Sequence, residues 1–132
     1  MSERQRDPIR VIVVDDDAIV RSALVAYADA SPDIEVLGAY ENGDQAVEAV
    51  GKLPIDVVLM DIRMPVKDGI SAAAEIKAMR TRAKVLLLTS FDEDDYAINA
   101  LRLGASGFLL KDASPRALVD AVRAVYEGTT VV

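Results

Sequence analysis

The chain has 132 residues, of which 52% are hydrophobic and 28% are charged. This length and composition predict one globular domain with a full core, and they exclude a disordered chain. The sequence contains no cysteine and no histidine. Disulfides, thiolate nucleophiles, imidazole bases and histidine metal ligands are therefore excluded, and any histidine that the chemistry needs must come from another molecule.

The net charge of −7 comes from 22 acidic and 15 basic residues. Direct binding of nucleic acid is disfavoured, because phosphate contacts need clustered Lys and Arg. The apolar runs are far shorter than the roughly 20 residues of a membrane-spanning helix. Residues 1–10 lack the apolar core of a signal peptide, so we expect a cytoplasmic protein without a membrane partner. Residues 1–8 are expected to form a flexible tail.

Short apolar runs recur along the chain and predict strands. Four of them are continuous and are typical of strands buried on both faces of a sheet: 11–14, 57–60, 85–88 and 108–110. A fifth run, 34–37, contains the charged Glu35 and is predicted at a sheet edge.

Helical patterns separate these runs, and each begins at a residue suited to capping. The predicted caps and helices are Asp17 for a helix to Ala30, Asp44 for 45–52, Asp68 for 69–80, Asp92 for 93–103, and Ser114 for a helix that ends at Gly128. Spacing places Tyr27 and Met79 on buried helix faces. The alternation of five strands and five helices predicts an α/β fold, a single (βα)5 doubly wound parallel sheet with helices on both faces.

Polar residues follow the strands at their carboxyl ends. They are Asp15 and Asp16 after the run 11–14, Asp61 after 57–60, Thr89 after 85–88 and Lys111 after 108–110. The carboxyl ends of parallel strands lie at one edge of the sheet, where ligands bind in open α/β folds. We therefore expect these five side chains to converge.

This combination of side chains suits phosphoryl transfer. Clustered carboxylates repel one another unless a cation intervenes, and Mg²⁺ prefers oxygen ligands of this kind. A carboxylate can attack phosphorus, while a lysine and a hydroxyl can stabilise the phosphoryl oxygens. Each residue alone could equally be a turn or cap residue, as we expect for Asp17, Asp44, Asp68 and Asp92. The coincidence of five suitable types at four strand ends favours the functional interpretation.

Four segments together resemble the receiver domain of two-component response regulators. They are 13–16 (VVDD), 59–69 (LMDIRMPVKDG), 88–90 (LTS) and 104–111 (GASGFLLK). The resemblance covers residues 9–128 in order and spacing, and the nearest subgroup is the NarL/FixJ type. It implies the flavodoxin-like strand order 2-1-3-4-5.

The resemblance also implies roles for the site residues. Asp61 would accept a phosphoryl group from a phosphohistidine of a sensor histidine kinase. Mg²⁺, with Mn²⁺ as a substitute, would be bound by Asp16, Asp61 and the backbone carbonyl of Arg63, and by Asp15 through water. Lys111 would bind a phosphoryl oxygen. Thr89 and Phe108 would move together as the switch.

Further implications concern the whole protein. The resemblance implies a homodimer on phosphorylation and DNA binding through an output domain beyond residue 132. Residues 129–132 would then be the start of a linker without regular structure. A stand-alone receiver that acts through protein contacts is the alternative. Asp112 follows Lys111 where many receivers have proline, and this leaves the geometry of that peptide bond open.

Two other classes of protein share parts of this pattern. A haloacid-dehalogenase-like phosphatase also uses an aspartate nucleophile with Mg²⁺, but it needs a second aspartate two positions later, where this chain has Arg63. A flavodoxin-like FMN module binds phosphate after its first strand, where Asp15, Asp16 and Asp17 would repel it.

Overall fold

The computed structural model describes residues 7–89 and 104–131. Five parallel strands form one sheet in the order β2-β1-β3-β4-β5, which confirms the predicted fold class and strand order. The strands are β1 (Ile9–Val14), β2 (Ile34–Tyr40), β3 (Val57–Asp61), β4 (Lys84–Thr89) and β5 (Gly107–Leu110). The segment around Glu35 does lie at a sheet edge, and β2 there runs on to Tyr40.

Four helices lie in the described ranges: α1 (Ala18–Asp29), α2 (Gly43–Lys52), α3 (Gly69–Ala78) and α4 (Pro115–Tyr126). The helix predicted over 93–103 lies outside the described residues, as do residues 1–6 of the predicted tail. Within 7–89 and 104–131, no helix has both the length and the apolar character to cross a membrane.

Three of the predicted helix caps are confirmed. Asp17, Asp68 and Ser114 each accept a hydrogen bond from a backbone N–H of the first turn that follows. Asp44 was the wrong choice for α2. Asn42 is the cap, because its side chain accepts from the Gln45 N–H at 3.0 Å, and Asp44 lies inside the first turn.

Two predicted core positions are also wrong. Tyr27 is 40% exposed, because α1 turns Leu24 and Ala28 towards the sheet instead. Met79 is 36% exposed, because α3 ends at Ala78, two residues before the predicted end. The chain leaves α3 through Arg80 at φ 57°, a left-handed conformation that stops a helix.

The two faces of the sheet carry separate cores. One face packs against α2 and α3 through Ile12, Val14, Val58, Met60 and Leu87. The other packs against α1 and α4 through Val11, Val13, Leu59, Leu86 and Leu88. Alternate residues of the central strands thus enter opposite cores, which explains why these strands are continuously apolar.

Residues 129–131, which the sequence analysis expects at the start of a linker, contact the sheet. Val131 forms a parallel bridge with Gly107 at the outer edge of β5. The Val131 N–H donates to the Ser106 carbonyl at 3.2 Å, and the Phe108 N–H donates to the Val131 carbonyl at 3.0 Å. We call residues 129–131 the edge segment.

Candidate functional site

Three carboxylates meet at the carboxyl ends of β1 and β3. Asp15 and Asp16 follow β1, and Asp61 is the last residue of β3, its neighbour in the sheet. One oxygen from each of the three carboxylates lies within 4.8 Å of the other two. Asp15 is fully buried and Asp16 is exposed, so the cluster extends from the interior to the surface.

Lys111 reaches this cluster from β5, two strands away. Its Nζ lies 3.3 Å from an oxygen of Asp15 and 3.3 Å from an oxygen of Asp61. The Lys111 N–H donates to the Thr89 carbonyl at 2.9 Å, which fixes the point where the side chain leaves the strand. Every peptide bond among the described residues is trans, including the one between Lys111 and Asp112.

The buried Asp15 is held from two sides. Its Oδ1 accepts from the Asp17 N–H at 2.9 Å, and its backbone carbonyl accepts from the Arg21 guanidinium at 2.7 Å. Its Oδ2 is buried without a hydrogen-bond partner among the described residues, although Lys111 stands at ion-pair distance. A carboxylate oxygen that is buried without a hydrogen bond lowers the stability of the folded state, so the position fits an additional cation or its bound water.

The charges at the site are unbalanced. Burial, together with the neighbouring Asp15 and Asp16 charges, raises the pKa of Asp61 to about 6 against the opposing effect of Lys111. Burial lowers the pKa of Lys111, but the Asp61 and Asp15 carboxylates outweigh this and raise it overall. Three carboxylates thus face one ammonium group, and a divalent cation would correct the imbalance.

The other predicted residues lie around this centre. Thr89 is buried and is the last residue of β4. This strand pairs with β3, so Thr89 lies at the same edge of the sheet as Asp61. Phe108 is half-buried near the start of β5 and packs against the core on the α2 and α3 face. Arg63 is exposed in the loop after Asp61. The structure therefore gathers Asp15, Asp16, Asp61 and Lys111, with Thr89 at the same edge.

Two further residues support the site, and the sequence analysis did not predict their supporting roles. Arg21 holds the Asp15 carbonyl, but a charged residue near the start of a helix gives no sequence signal of that contact. Gly69 permits close packing, since a Cβ there would lie 2.3 Å from the Asp61 carbonyl oxygen. Its position directly after the Asp68 cap was the available signal.

Lys67 also supports the site, through the loop between β3 and α3. It forms ion pairs with Asp44 of α2, at 3.1 Å, and with Glu75 of α3. These contacts hold a loop in which the exposed Val66 has φ 73°, an unfavourable conformation for a β-branched residue. These ion pairs connect the loop that follows Asp61 to both α2 and α3.

The fold and site together define a class: a doubly wound α/β domain with a cluster of three carboxylates, able to bind a metal ion, at its strand ends. Residues 11–123 match the family described as the response regulator receiver domain, and the chain belongs to that family. It is thus a receiver domain of two-component response regulators, of the NarL/FixJ type, as the sequence predicted.

The relatives are transcriptional regulators. The chain is 36% identical over 126 residues to the uncharacterized transcriptional regulatory protein YxjL of Bacillus subtilis (strain 168), covering 96% of this chain and 58% of that protein. It is 39% identical over 120 residues to the transcriptional regulatory protein LiaR of the same organism, covering 91% and 57%. The chain therefore spans a little over half the length of these curated relatives.

A solved structure supports the same assignment. The signal receiver domain of the putative response regulator NarL from Mycobacterium tuberculosis is 35% identical, with a TM-score of 0.90. The match covers 93% of this chain and 99% of that one. These relatives are regulators and not classical enzymes, which favours the receiver interpretation over a phosphatase or an FMN module.

Proposed function

We propose that this domain is a phosphorylation-activated switch that accepts a phosphoryl group on Asp61 from the phosphohistidine of a sensor histidine kinase. The observation that carries this proposal is the meeting of Asp15, Asp16, Asp61 and Lys111 at one edge of the sheet. The kinase would supply the histidine that this chain lacks.

We expect the transfer to depend on Mg²⁺ and to use a carboxylate nucleophile and stabilised phosphoryl oxygens. An Asp61 oxygen attacks phosphorus, the N–P bond of the phosphohistidine breaks, and its electron pair stays on the imidazole nitrogen. The product is an acyl phosphate on Asp61. Lys111 already contacts Asp61, so its ammonium group is placed to bind an oxygen of the arriving phosphoryl group.

The donor set fits Mg²⁺, with Mn²⁺ as a substitute. Asp16, Asp61 and the Arg63 backbone carbonyl would bind the ion directly, and Asp15 would bind it through water. The buried Asp15 Oδ2, whose one ion-pair partner among the described residues is Lys111, and the excess of three carboxylates over one ammonium group support this assignment. When bound, the ion neutralises charge on the carboxylates and on the phosphoryl oxygens.

The signal would be a shift between two conformations. In this proposal Lys111 and Thr89 bind the phosphoryl group in only one of them, and Phe108 moves with Thr89. That shift would promote a homodimer and DNA binding through an output domain beyond residue 132. Residues 9–128 then form the receiver, residues 129–132 begin the linker, and the protein acts in the cytoplasm.

Intact mass with and without acetyl phosphate and Mg²⁺ tests the proposal. We expect one added phosphate on the wild-type chain, mapped to Asp61, and none on Asp61→Asn. Asp29→Asn, the same change at an exposed position at the end of α1, should label like the wild type. Labelling of the Asp61→Asn variant, or mapping to another residue, would contradict the assignment.

A further inference from the structure

A polar cavity of about 280 Å³ lies at the amino ends of β4 and β5, and we call it the lysine cavity. Lys84, the first residue of β4, and Ser106, which directly precedes β5, line it together with Lys77 of α3 and Thr130 of the edge segment. Asp61 lies at the opposite, carboxyl ends of the strands. Strands of this length span roughly 17–20 Å, so the lysine cavity is separate from the acidic site.

The two lysines of the cavity have no acidic partner. Among the described residues, Lys77 and Lys84 form neither an ion pair nor a side-chain hydrogen bond, and none of the residues that line the cavity is acidic. The other lysines of the chain all form ion pairs: Lys52 with Glu48, Lys67 with Asp44 and Glu75, and Lys111 with Asp15 and Asp61. The unpaired ammonium groups therefore occur together, at this one place.

Packing places both lysine side chains. The Lys77 stem lies against Gly104, where φ is 133° and a Cβ would stand only 2.8 Å from the Lys77 Cδ. Lys84 is half-buried, and its Nζ lies 3.8 Å from the position that a Cβ on Gly128 would take, just after α4. A partly buried ammonium group without a counter-charge lowers the stability of the folded state, and an anion in the cavity would offset this cost.

Hydroxyl groups add further hydrogen-bond donors to the lining. The Thr81 hydroxyl accepts from the Ala83 N–H at 3.2 Å, and its own hydrogen can still be donated to a ligand. The Ser106 and Thr130 hydroxyls form no hydrogen bond with any described residue. Ammonium and hydroxyl groups are the side-chain donors that bind phosphate oxygens through short, charge-assisted hydrogen bonds.

We propose that the lysine cavity binds a small phosphate-bearing anion, either inorganic or a small phosphomonoester. Its volume lies just below the roughly 300–1,000 Å³ that is usual for pockets that hold drug-sized ligands, which favours an anion of few atoms over a nucleotide. The chain as a whole carries a net charge of −7 and repels anions, so binding must depend on these local positive charges. The site shares no residue with the acidic site and does not depend on the proposed function.

Titration with pyrophosphate in EDTA, followed by NMR of the backbone amides, tests the proposal. Without divalent ions the three carboxylates of the acidic site repel the anion, so binding there is suppressed. We expect saturable shift changes at Lys84, Gly104 and Ser106 in the millimolar range, and little change at Asp16 and Asp61. Shift changes centred on the acidic site, or the same changes with chloride at equal ionic strength, would overturn the proposal.

Two further probes distinguish the sources of the phosphate group. Inorganic phosphate represents the free anion, and phenyl phosphate represents a monoester. Saturable binding of either at the same three amides supports the proposal, and the tighter of the two identifies the source. If pyrophosphate, inorganic phosphate and phenyl phosphate all fail to bind there, the proposal is refuted, while labelling of Asp61 still decides the proposed function.

Substitution of the lysines shows whether their charges are responsible. Lys77→Met and Lys84→Met each remove an ammonium group and keep most of the stem, and each should weaken pyrophosphate binding by about tenfold. Lys84→Arg keeps the charge and should retain most of the affinity. Lys52→Met, at an exposed lysine of α2, is the matched control and should bind like the wild type.

The fold of each variant is checked in the same spectra. The amide shift of Val58, in the central β3, should stay unchanged in all of them. A Met variant with a wild-type Val58 shift and full pyrophosphate affinity would show that its lysine does not bind the anion, and full affinity in both Met variants would overturn the proposal.

Discussion

At the scale of single residues, the clustered and buried carboxylates destabilise the protein when no metal ion is bound. Asp61 has a side chain only 9% exposed and lies beside two further carboxylates. Its pKa is raised to about 6, so the folded state holds a proton there more firmly than the unfolded chain does. The metal-free protein therefore loses stability as the pH rises from about 4 to 6.

We expect Asp61→Asn to stabilise the metal-free protein at pH 7, because the amide removes a buried charge. The gain should be about 1–3 kcal/mol, since one pKa unit corresponds to about 1.4 kcal/mol. Urea unfolding in EDTA measures it, and the difference should shrink towards pH 4. Added Mg²⁺ should stabilise the wild type more than the variant. A variant less stable than the wild type at pH 7 without metal would contradict this.

The same scale shows what sequence can and cannot predict. Asp15, Asp16, Asp61 and Lys111 could be predicted, because the end of each buried strand is readable and parallel strands bring those ends together. Arg21 could not, because its contact is to a backbone carbonyl, which any residue at position 15 would offer. Side chains that act on backbone atoms leave no pattern in the partner.

At the scale of elements, α2 has two candidate N-cap residues, Asn42 and Asp44, and the structure shows that Asn42 is the cap. Asn42 accepts from the Gln45 N–H, and the Gln45 side chain accepts from the Glu41 N–H at 2.7 Å. Asn42→Ala should cost about 0.5–2 kcal/mol in the free energy of unfolding, the usual value of an N-cap. Thermal or urea unfolding measures the loss.

Asp44→Ala is the matched comparison. Asp44 lies in the first turn, where it interacts with the helix dipole and with Lys67 at the surface. Exposed charges of this kind contribute roughly 0.3–1 kcal/mol. A larger loss from Asp44→Ala than from Asn42→Ala would mean that Asp44 is the cap after all.

The errors at this scale have a common cause. Asn42, Gly43 and Asp44 offer two capping side chains two positions apart, and local sequence does not choose between them. Likewise, the edge segment pairs through its backbone with a strand more than twenty positions earlier, a contact that its own residues do not specify. Burial patterns predict the interiors of elements well, whereas their ends depend on tertiary contacts.

At the scale of the whole molecule, the ion pair between Arg123 and Asp33 joins distant parts of the chain. Arg123 of α4 donates to both oxygens of Asp33, in the turn before β2, and to the Ser31 hydroxyl at 3.0 Å. The Arg123 guanidinium, with the Ser31 hydroxyl, holds the pKa of Asp33 well below its usual range. These contacts connect α4 to the turn that follows α1.

The lowered pKa of Asp33 gives a prediction for acid unfolding. Its contribution is present in full above the unfolded pKa near 4 and is lost as the pH falls through the lower folded value. Asp33→Asn should therefore reduce stability at pH 7 and flatten the decline of stability below pH 4. Urea titrations at pH 7 and at several pH values below 4 measure both effects. Equal slopes for wild type and variant below pH 4 would exclude this role for Asp33.

The fold as a whole was the most predictable property. Alternating apolar runs and helical patterns leave few arrangements, and the buried β1, β3 and β4 require cover on both sides. The strand order came from the family resemblance, since periodicity does not specify which strands become neighbours. Order depends on packing between residues far apart in the chain.

The position of β1 between β2 and β3 matters while the protein is being synthesised. Val11 pairs on one side with Val36, which emerges from the ribosome soon after it, and on the other with Val57, which emerges much later. A nascent chain at that stage carries a half-paired, largely apolar strand with bare N–H and C=O groups along one side. The time between the emergence of β2 and that of β3 therefore sets how long the growing chain remains open to aggregation or to capture by a chaperone.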